Sequence, residues 1–173
     1  MTQLSYNEAF DPYHAVFRFI RIWKGCALEG KTHFDMLRIM DFYLLFPFRL
    51  QNMSFFSEDR AWRRISKSYE SQKPYGEIPD DVSVFSRMAP FQRAAVASLV
   101  HSKVLSPEAW ANNQVEFQDS ELPPNLVNRC MSLNASTQDI ISILCDLRER
   151  YPLLGRNGLK DRTGLLEFRY DPV

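Results

Sequence analysis

The chain has 173 residues, of which 45% are hydrophobic and 24% are charged, a length and composition typical of one globular domain with its own core. This composition excludes an intrinsically disordered chain, which has fewer apolar residues and a larger net charge. Lysine plus arginine number 21, as do aspartate plus glutamate, so no overall positive field draws the protein to nucleic acid and only a local basic patch could do so.

The three cysteines, Cys26, Cys130 and Cys145, are odd in number and form no C-x-x-C pair. This pattern argues against a disulfide framework and a zinc site, and it favours a reducing compartment in which cysteines are buried as small hydrophobic residues. The first residues lack the basic and apolar regions of a secretory signal. The richest apolar stretch, 34–46, is short and interrupted by charges. The sequence therefore predicts a cytoplasmic protein without a membrane span.

The first predicted helix begins at Asp11-Pro12, an N-cap acceptor followed by a proline, and Gly25 ends it. Its apolar residues form two strips at helical spacing: Tyr13, Val16, Phe17, Ile20 and Trp23 on one, and Ala15, Phe19 and Ile22 on the other. Arg18, Arg21 and Lys24 form a basic stripe elsewhere. The helix therefore packs on two sides, or packs on one and offers the other to a partner.

The second predicted helix begins at Thr32, with Asp35 as a weak capping box, and ends at Pro47. Its polar residues are spaced by three: Asp35, Arg38 and Asp41. All other faces are apolar, so the helix must be covered nearly all round. We expect it to be the central helix of the domain, and partner contact is expected to seal part of it.

The third predicted helix, from Ser57 to about Tyr69, carries the candidate site of the sequence. Its cations recur at spacings of three and four, which places them on one face: Arg60, Arg63, Arg64 and Lys67. Such a face is either ordinary solvated surface or a contact for an acidic protein or DNA phosphates. Acidic residues at both ends of the segment, Glu58, Asp59 and Glu70, are expected to dilute its field. We therefore rank solvated surface first, protein contact second and DNA third.

The remaining elements are a loop over 71–81, a helical turn over 82–88, and a helix from Pro90 to about Lys103. Two short strands are expected at 104–105 and 115–117. A helix then follows Leu122-Pro123-Pro124, and the next one, capped by Ser136, runs to about Tyr151. Its buried side is predicted to comprise Ile140, Ile141, Leu144 and Leu147. The tail contains a plausible edge strand over 165–170.

No sequence motif arranges a nucleophile, a metal or a phosphate-binding loop. The histidines, His14, His33 and His101, fall on separate predicted elements. We therefore expect no catalytic residue, no cofactor, no metal and no small-molecule substrate. The spacing Gly155-x-x-Gly158 matches the loop with which KH domains clamp nucleic acid, and the alternative interpretation is a helix cap and turn.

Three segments, Asp11–Arg18, Asp41–Pro47 and Gly158–Leu165, resemble the small middle component of ABC-three-component systems, which include Lamassu-type anti-phage defence modules of bacteria. The resemblance implies a non-enzymatic adaptor that joins an SMC-like ABC ATPase to an effector, often a nuclease, in a complex that responds to foreign DNA. DNA contact within that complex is compatible with this role.

The predicted fold is mainly α with a few short β-strands. The resemblance also suggests a winged-helix-like body over about 32–118, followed by helices and a tail over 122–173, within one domain of residues 1–173. The alternative function is a stand-alone winged-helix transcriptional regulator, which would dimerise and bind a palindromic operator.

Overall fold

The computed structural model describes residues 8–167, and this part of the chain is mainly helical with a small two-stranded sheet. The helices are α1 (Pro12–Cys26), α2 (Phe34–Leu45), α3 (Trp62–Ser68), α4 (Asp81–His101), α5 (Pro107–Ala111), α6 (Pro124–Ser136), α7 (Gln138–Arg150) and α8 (Leu159–Thr163). Short 3-10 helices lie at Pro47–Asn52, Ser57–Asp59 and Glu70–Gln72. The predicted fold class is confirmed. Within these residues, no helix combines the length and the apolarity that crossing a bilayer requires.

The sheet pairs β1 (Lys31–His33) with β2 (Gln114–Glu116) in antiparallel register, with Thr32 opposite Val115. β2 matches the predicted strand near 115–117, whereas the strand expected at 104–105 is reduced to a single bridge between Leu105 and Phe117. Between these two segments, Ser106 caps α5, a helix that was not predicted. The winged-helix-like body over 32–118 is consistent with this arrangement and, like the domain division, stays a prediction.

Helix α1 begins where the sequence indicates, because Asp11 Oδ1 accepts hydrogen bonds from the Tyr13 and His14 amides at 2.7 and 3.3 Å. The prediction that Gly25 ends it is wrong, since the helix continues to Cys26 and Ala27 takes the left-handed conformation. Gly25 has a packing role instead. A Cβ there would lie 2.9 Å from both Asn134 Nδ2 and Ile141 Cγ2, so glycine allows α1 to approach α6 and α7 closely.

Helix α1 is buried on more than one side, as it packs against α2, α4, α6 and α7. The expected two-sided packing is therefore confirmed. Two details of the predicted faces differ: Tyr13, assigned to an apolar strip, is 83% exposed, whereas Arg18, assigned to the basic stripe, is buried. Arg18 can be buried because it meets a carboxylate from α2.

Helix α2 is the central helix, with every residue from Phe34 to Leu44 buried except Asp35. Its N-cap is His33, whose Nδ1 accepts a hydrogen bond from the Asp35 amide at 3.1 Å, while the predicted cap Thr32 belongs to β1. The chain itself covers this helix. The expectation that a partner seals part of it is therefore wrong for these residues.

A buried polar network connects α1, α2 and α4 within the core. Asp41 accepts hydrogen bonds from Arg18 Nε at 2.6 Å, Arg18 Nη2 at 3.2 Å and Gln92 Nε2 at 2.9 Å. Gln92 Oε1 in turn accepts a bond from Arg38 Nε at 3.0 Å. Burial lowers the pKa of Arg38, and its neighbour Asp35 opposes that effect. Each buried charge in the network has a polar partner, as burial of charge requires.

Helix α4 is continuous, so the expected break at Pro90 is wrong. Asp80 caps it by accepting a bond from the Ser83 amide at 2.9 Å. Buried residues lie on both sides of the proline: Val84, Phe85 and Met88 before it, and Gln92, Ala95 and Val96 after it. Burial of these side chains offsets the hydrogen bond that a proline removes from a helix.

The carboxyl-terminal part also departs from the sequence expectation at element ends. Ser136 is the last residue of α6 rather than the cap of α7, although the predicted buried side of α7 is confirmed. Residues 165–167 form no strand, and the rest of the expected edge strand lies outside the described residues. α8 was not predicted.

Cys26 and Cys145 form a disulfide between α1 and α7, with Cα atoms 5.3 Å apart, and Cys130 is a buried free thiol. The argument against disulfides is therefore wrong for this pair. The two cysteines are 119 positions apart in sequence, and only the packing of α1 on α7 brings them together. Counting and spacing do not reveal such a pair.

Reduction of this disulfide is expected to lower the free energy of unfolding by about 2–4 kcal/mol, because the bond closes a long loop and restricts the unfolded chain. Urea unfolding of the oxidised protein with and without a thiol reductant measures the effect. The variant Cys130→Ser should respond to reductant as the wild type does, and Cys26→Ser/Cys145→Ser should not respond. Equal midpoints for oxidised and reduced wild type would contradict the prediction.

Candidate interaction surface on helix α3

The four predicted site residues, Arg60, Arg63, Arg64 and Lys67, are all exposed and lie on one side of α3 and the turn before it; we call them the basic face. Arg60 and Ala61 have right-handed helical backbone angles, so the turn continues the helical spacing into α3. Trp62 faces inward as predicted, whereas Ala61 is exposed. The expected helix start at Ser57 is wrong, because Ser57 lies in a separate 3-10 helix.

The side of α3 opposite the basic face is fixed by contacts with α7 and the segment after α2. Asp59, which is buried, accepts bonds from Arg150 at 2.8 and 3.0 Å and from the Tyr151 hydroxyl at 2.7 Å. Burial and the bond to Asp59 raise the pKa of Tyr151 to about 12, so its hydroxyl remains a donor at neutral pH. Ser66 Oγ donates to the Pro47 carbonyl at 2.7 Å. These bonds hold the basic face in a fixed orientation.

An aromatic cluster also holds the segment before α3 against the end of α7. Phe56 stacks on Tyr151 with ring centres 4.0 Å apart, and Trp62 lies 5.9 Å from the same tyrosine ring. The Arg162 guanidinium lies 4.2 Å from the Phe56 ring. The segment 55–62 is therefore packed against α7 and α8 rather than extended into solvent.

The charges around the basic face are distributed differently from the sequence expectation. Glu58 and Asp59 pair with Arg150 at 3.4 and 2.8 Å, and Glu70 pairs with Lys73 at 3.5 Å. None of the four cations of the basic face forms an ion pair with a carboxylate of the described residues. The flanking acids therefore reduce the positive field of the basic face less than predicted, since cations outside the face neutralise them.

The groups that carry most enzyme chemistry are dispersed. His14 is on the exposed side of α1, His33 caps α2 and His101 is the last residue of α4. Burial raises the pKa of Cys130, which makes it a poor nucleophile. Across residues 8–167, no three His, Cys, Asp or Glu side chains come together in a group that could hold a metal.

The Gly155-x-x-Gly158 segment forms a turn between α7 and α8, with the Gly158 amide bonded to the Gly155 carbonyl at 3.1 Å. Gly155 has a φ of +78°, and a Cβ on Gly158 would meet the Leu154 carbonyl oxygen at 2.4 Å. Both glycines are thus explained by the turn itself.

A family model described as ABC-three component (ABC-3C) system Middle Component 5 matches residues 4–171. The chain belongs to this family. The resemblance to middle components is thereby confirmed across nearly the whole sequence, and it makes the chain an accessory component of a multi-component system with partner subunits. No curated protein and no solved structure matches it.

This middle component has a second surface feature, which we call the α1/α6 cleft: a concavity of about 340 Å³ between α1 and α6, with the end of α2 as its floor. The lining residues used below are Phe17, Arg21, Leu45, Tyr69, Arg129 and Leu133. Sequence reasoning placed Phe17 on an apolar strip of α1 and Arg21 on its basic stripe, and assigned no role to Arg129 or Leu133. The available signal was the apolar strip of α1 that contains Phe17, since a partner contact was an open alternative for one of the two strips.

Proposed function

We propose that this chain is a non-enzymatic adaptor that bridges an SMC-like ABC ATPase and a nuclease effector in a Lamassu-type bacterial anti-phage defence complex in the cytoplasm. The observation that carries the proposal is the match of a middle-component family to residues 4–171. The dispersed histidines and the poorly nucleophilic Cys130 support a role in assembly rather than in chemistry.

The basic face is proposed as one contact of this adaptor, because its four cations are exposed, form no ion pair with a carboxylate of residues 8–167 and stand on a helix whose opposite side is fixed. A preorganised set of charges meets an oppositely charged surface at a lower entropic cost than mobile side chains do. An acidic surface of a partner subunit is the proposed target, and DNA phosphates within the complex are the alternative.

The test is to co-express this chain with the proteins encoded beside its gene and to purify the complex through a tag on this chain. The proposal expects an ATPase and an effector to co-purify with it. A chain that instead purifies alone as a homodimer and binds a palindromic DNA site would be a transcriptional regulator, and the adaptor proposal would be wrong.

In the same system, the double reversal Arg60→Glu/Arg64→Glu is expected to slow association with the partner at least about ten-fold, while leaving DNA binding by the rest of the complex unchanged. Stopped-flow or surface-based kinetics at two salt concentrations measure this effect. The matched control is Arg87→Glu/Arg93→Glu, which reverses two exposed arginines on α4.

The other outcomes assign the face differently. A flattened salt dependence of DNA binding in the double variant would move the contact from protein to DNA phosphates. Unchanged association, DNA binding and phage resistance would show that the basic face is ordinary solvated surface.

A further inference from the structure

The α1/α6 cleft contains a guanidinium that no carboxylate of residues 8–167 neutralises. Arg21 donates from Nε to Asn134 Oδ1 at 2.9 Å and from Nη2 to Thr137 Oγ1 at 3.0 Å, and both acceptors are neutral. Its Nη1 donates no hydrogen bond within the described residues. Burial lowers the pKa of Arg21, and nearby Arg18 lowers it further. A partly buried cation in this setting favours an anion more strongly than a fully solvated one does.

A second cation lies at the same cleft on α6. The Arg129 guanidinium stands over the Phe17 ring at 5.2 Å and is exposed on its other side. Glu8 also lines the cleft, but neither Arg21 nor Arg129 forms an ion pair with it. The neighbouring cation Arg18 is already neutralised by Asp41. Two guanidinium groups that form no ion pair within the described part of the chain therefore give the cleft a local positive charge in a protein with no net charge.

Part of the remaining lining is apolar and incompletely covered, and it stands beside polar side chains such as His14 and Gln72. Phe17 and Leu45 are half-buried, and Leu133 is 37% exposed. Tyr69 is held at the cleft by a 2.7 Å bond from its hydroxyl to Asp139. Apolar walls with a few converging polar groups are typical of binding sites, and a volume near 340 Å³ accommodates one or two side chains.

We propose that the α1/α6 cleft binds an acidic, amphipathic segment of a partner subunit, with a carboxylate on Arg21 and Arg129 and an apolar side chain against Phe17, Leu45 and Leu133. The proposal rests on the proposed adaptor function, because a partner subunit supplies the segment. Charge complementarity selects the occupant: the cations require an anion, and the apolar walls require a neighbouring hydrophobic group. Nucleic acid satisfies the first requirement and fits the second poorly, since its phosphates lie along a hydrophilic backbone.

The experiment uses the complex purified with the proteins encoded beside the gene, with a photo-crosslinking amino acid in place of Leu133. Mass spectrometry of the cross-linked product identifies the contacting segment. The expected result is one segment of one partner subunit that contains at least one Asp or Glu next to apolar residues. Arg129→Glu is expected to weaken binding of that subunit at least about ten-fold, and Arg129→Lys much less.

The control for Arg129 is Arg93, which is also exposed and also stands over a phenylalanine ring, that of Phe34 at 5.4 Å. Arg93→Glu should leave the affinity and the cross-link unchanged. Replacing the acidic residue of the identified segment by lysine should restore binding to Arg129→Glu, which a purely structural role of Arg129 would not produce.

The remaining outcomes overturn the proposal. A complex that assembles but cross-links at position 133 to nothing, to nucleic acid, to a second copy of this chain or to a segment without acidic residues leaves the adaptor function intact and removes this site. A chain that enters no complex overturns both proposals.

Discussion

The substitution Phe42→Asp is expected to prevent the protein from folding. Phe42 has no exposed surface, and its ring makes edge contacts with Tyr43, Phe46 and Phe85 at centre distances of 5.2, 5.5 and 5.7 Å. Loss of the ring alone costs about 3–5 kcal/mol. A buried carboxylate without a partner adds several kcal/mol more. The sum is comparable to the whole stability of a typical domain, about 5–15 kcal/mol.

Two variants make this experiment decisive. Tyr13→Asp places the same charge at an aromatic residue that is 83% exposed, and it should unfold within about 0.5 kcal/mol of the wild type. Phe42→Leu keeps an apolar side chain and should cost about 1–3 kcal/mol, measurable by urea unfolding. Circular dichroism of Phe42→Asp is expected to show loss of helix. A folded, cooperative Phe42→Asp protein with wild-type stability would show that α2 is not the core helix.

Local chemistry made parts of this fold predictable from the sequence. The start of α1 follows from Asp11, whose carboxylate caps the helix, and from Pro12, which lacks a backbone N–H that the first turn does not need. Both effects act within a single turn. The central position of α2 follows from an apolar surface that only burial on all sides can cover. The basic face also followed from spacing alone, since residues three and four apart share a side of any helix.

Residues that act through tertiary contacts were misjudged for a common reason. Gly25 and Pro90 usually end helices, but here Gly25 gives α6 and α7 room to approach, and Pro90 stands between buried turns of α4. The sequence placed Arg18 on a basic stripe and gave no sign of its burial, because its partner, Asp41, lies on another helix. Local preference is a weak guide wherever packing decides the outcome.

The candidate surfaces show the same contrast between features set by local sequence and features set by tertiary contacts. Sequence spacing identified the basic face, but it did not show that Arg150 neutralises the acids beside it. The α1/α6 cleft joins residues from α1, α2 and α6, together with Tyr69, and no short motif contains them. A site assembled from distant segments, like the Cys26–Cys145 pair, becomes visible only when the helices are in place.

The buried ion pair between Arg18 and Asp41 provides the second large effect. The side chains are 6% and 0% exposed, and Asp41 also accepts a bond from Gln92. Asp41→Ala removes the carboxylate and leaves the Arg18 guanidinium buried without its anion, which is expected to cost about 3–5 kcal/mol. Urea unfolding measures the loss, and the control Glu70→Ala, which removes one side of the exposed pair with Lys73, should leave the unfolding midpoint nearly unchanged.

The double variant Arg18→Met/Asp41→Leu distinguishes an uncompensated charge from a simple loss of contacts. It removes both charges and keeps most of the side-chain volume, so it should be more stable than Asp41→Ala by at least about 2 kcal/mol. Gln92 then loses its carboxylate acceptor, and this prevents full recovery, since an unpaired buried amide costs about 1–3 kcal/mol. A double variant no more stable than Asp41→Ala would mean that the pair itself stabilises the fold, and that burial of the unpaired guanidinium is not the main cost.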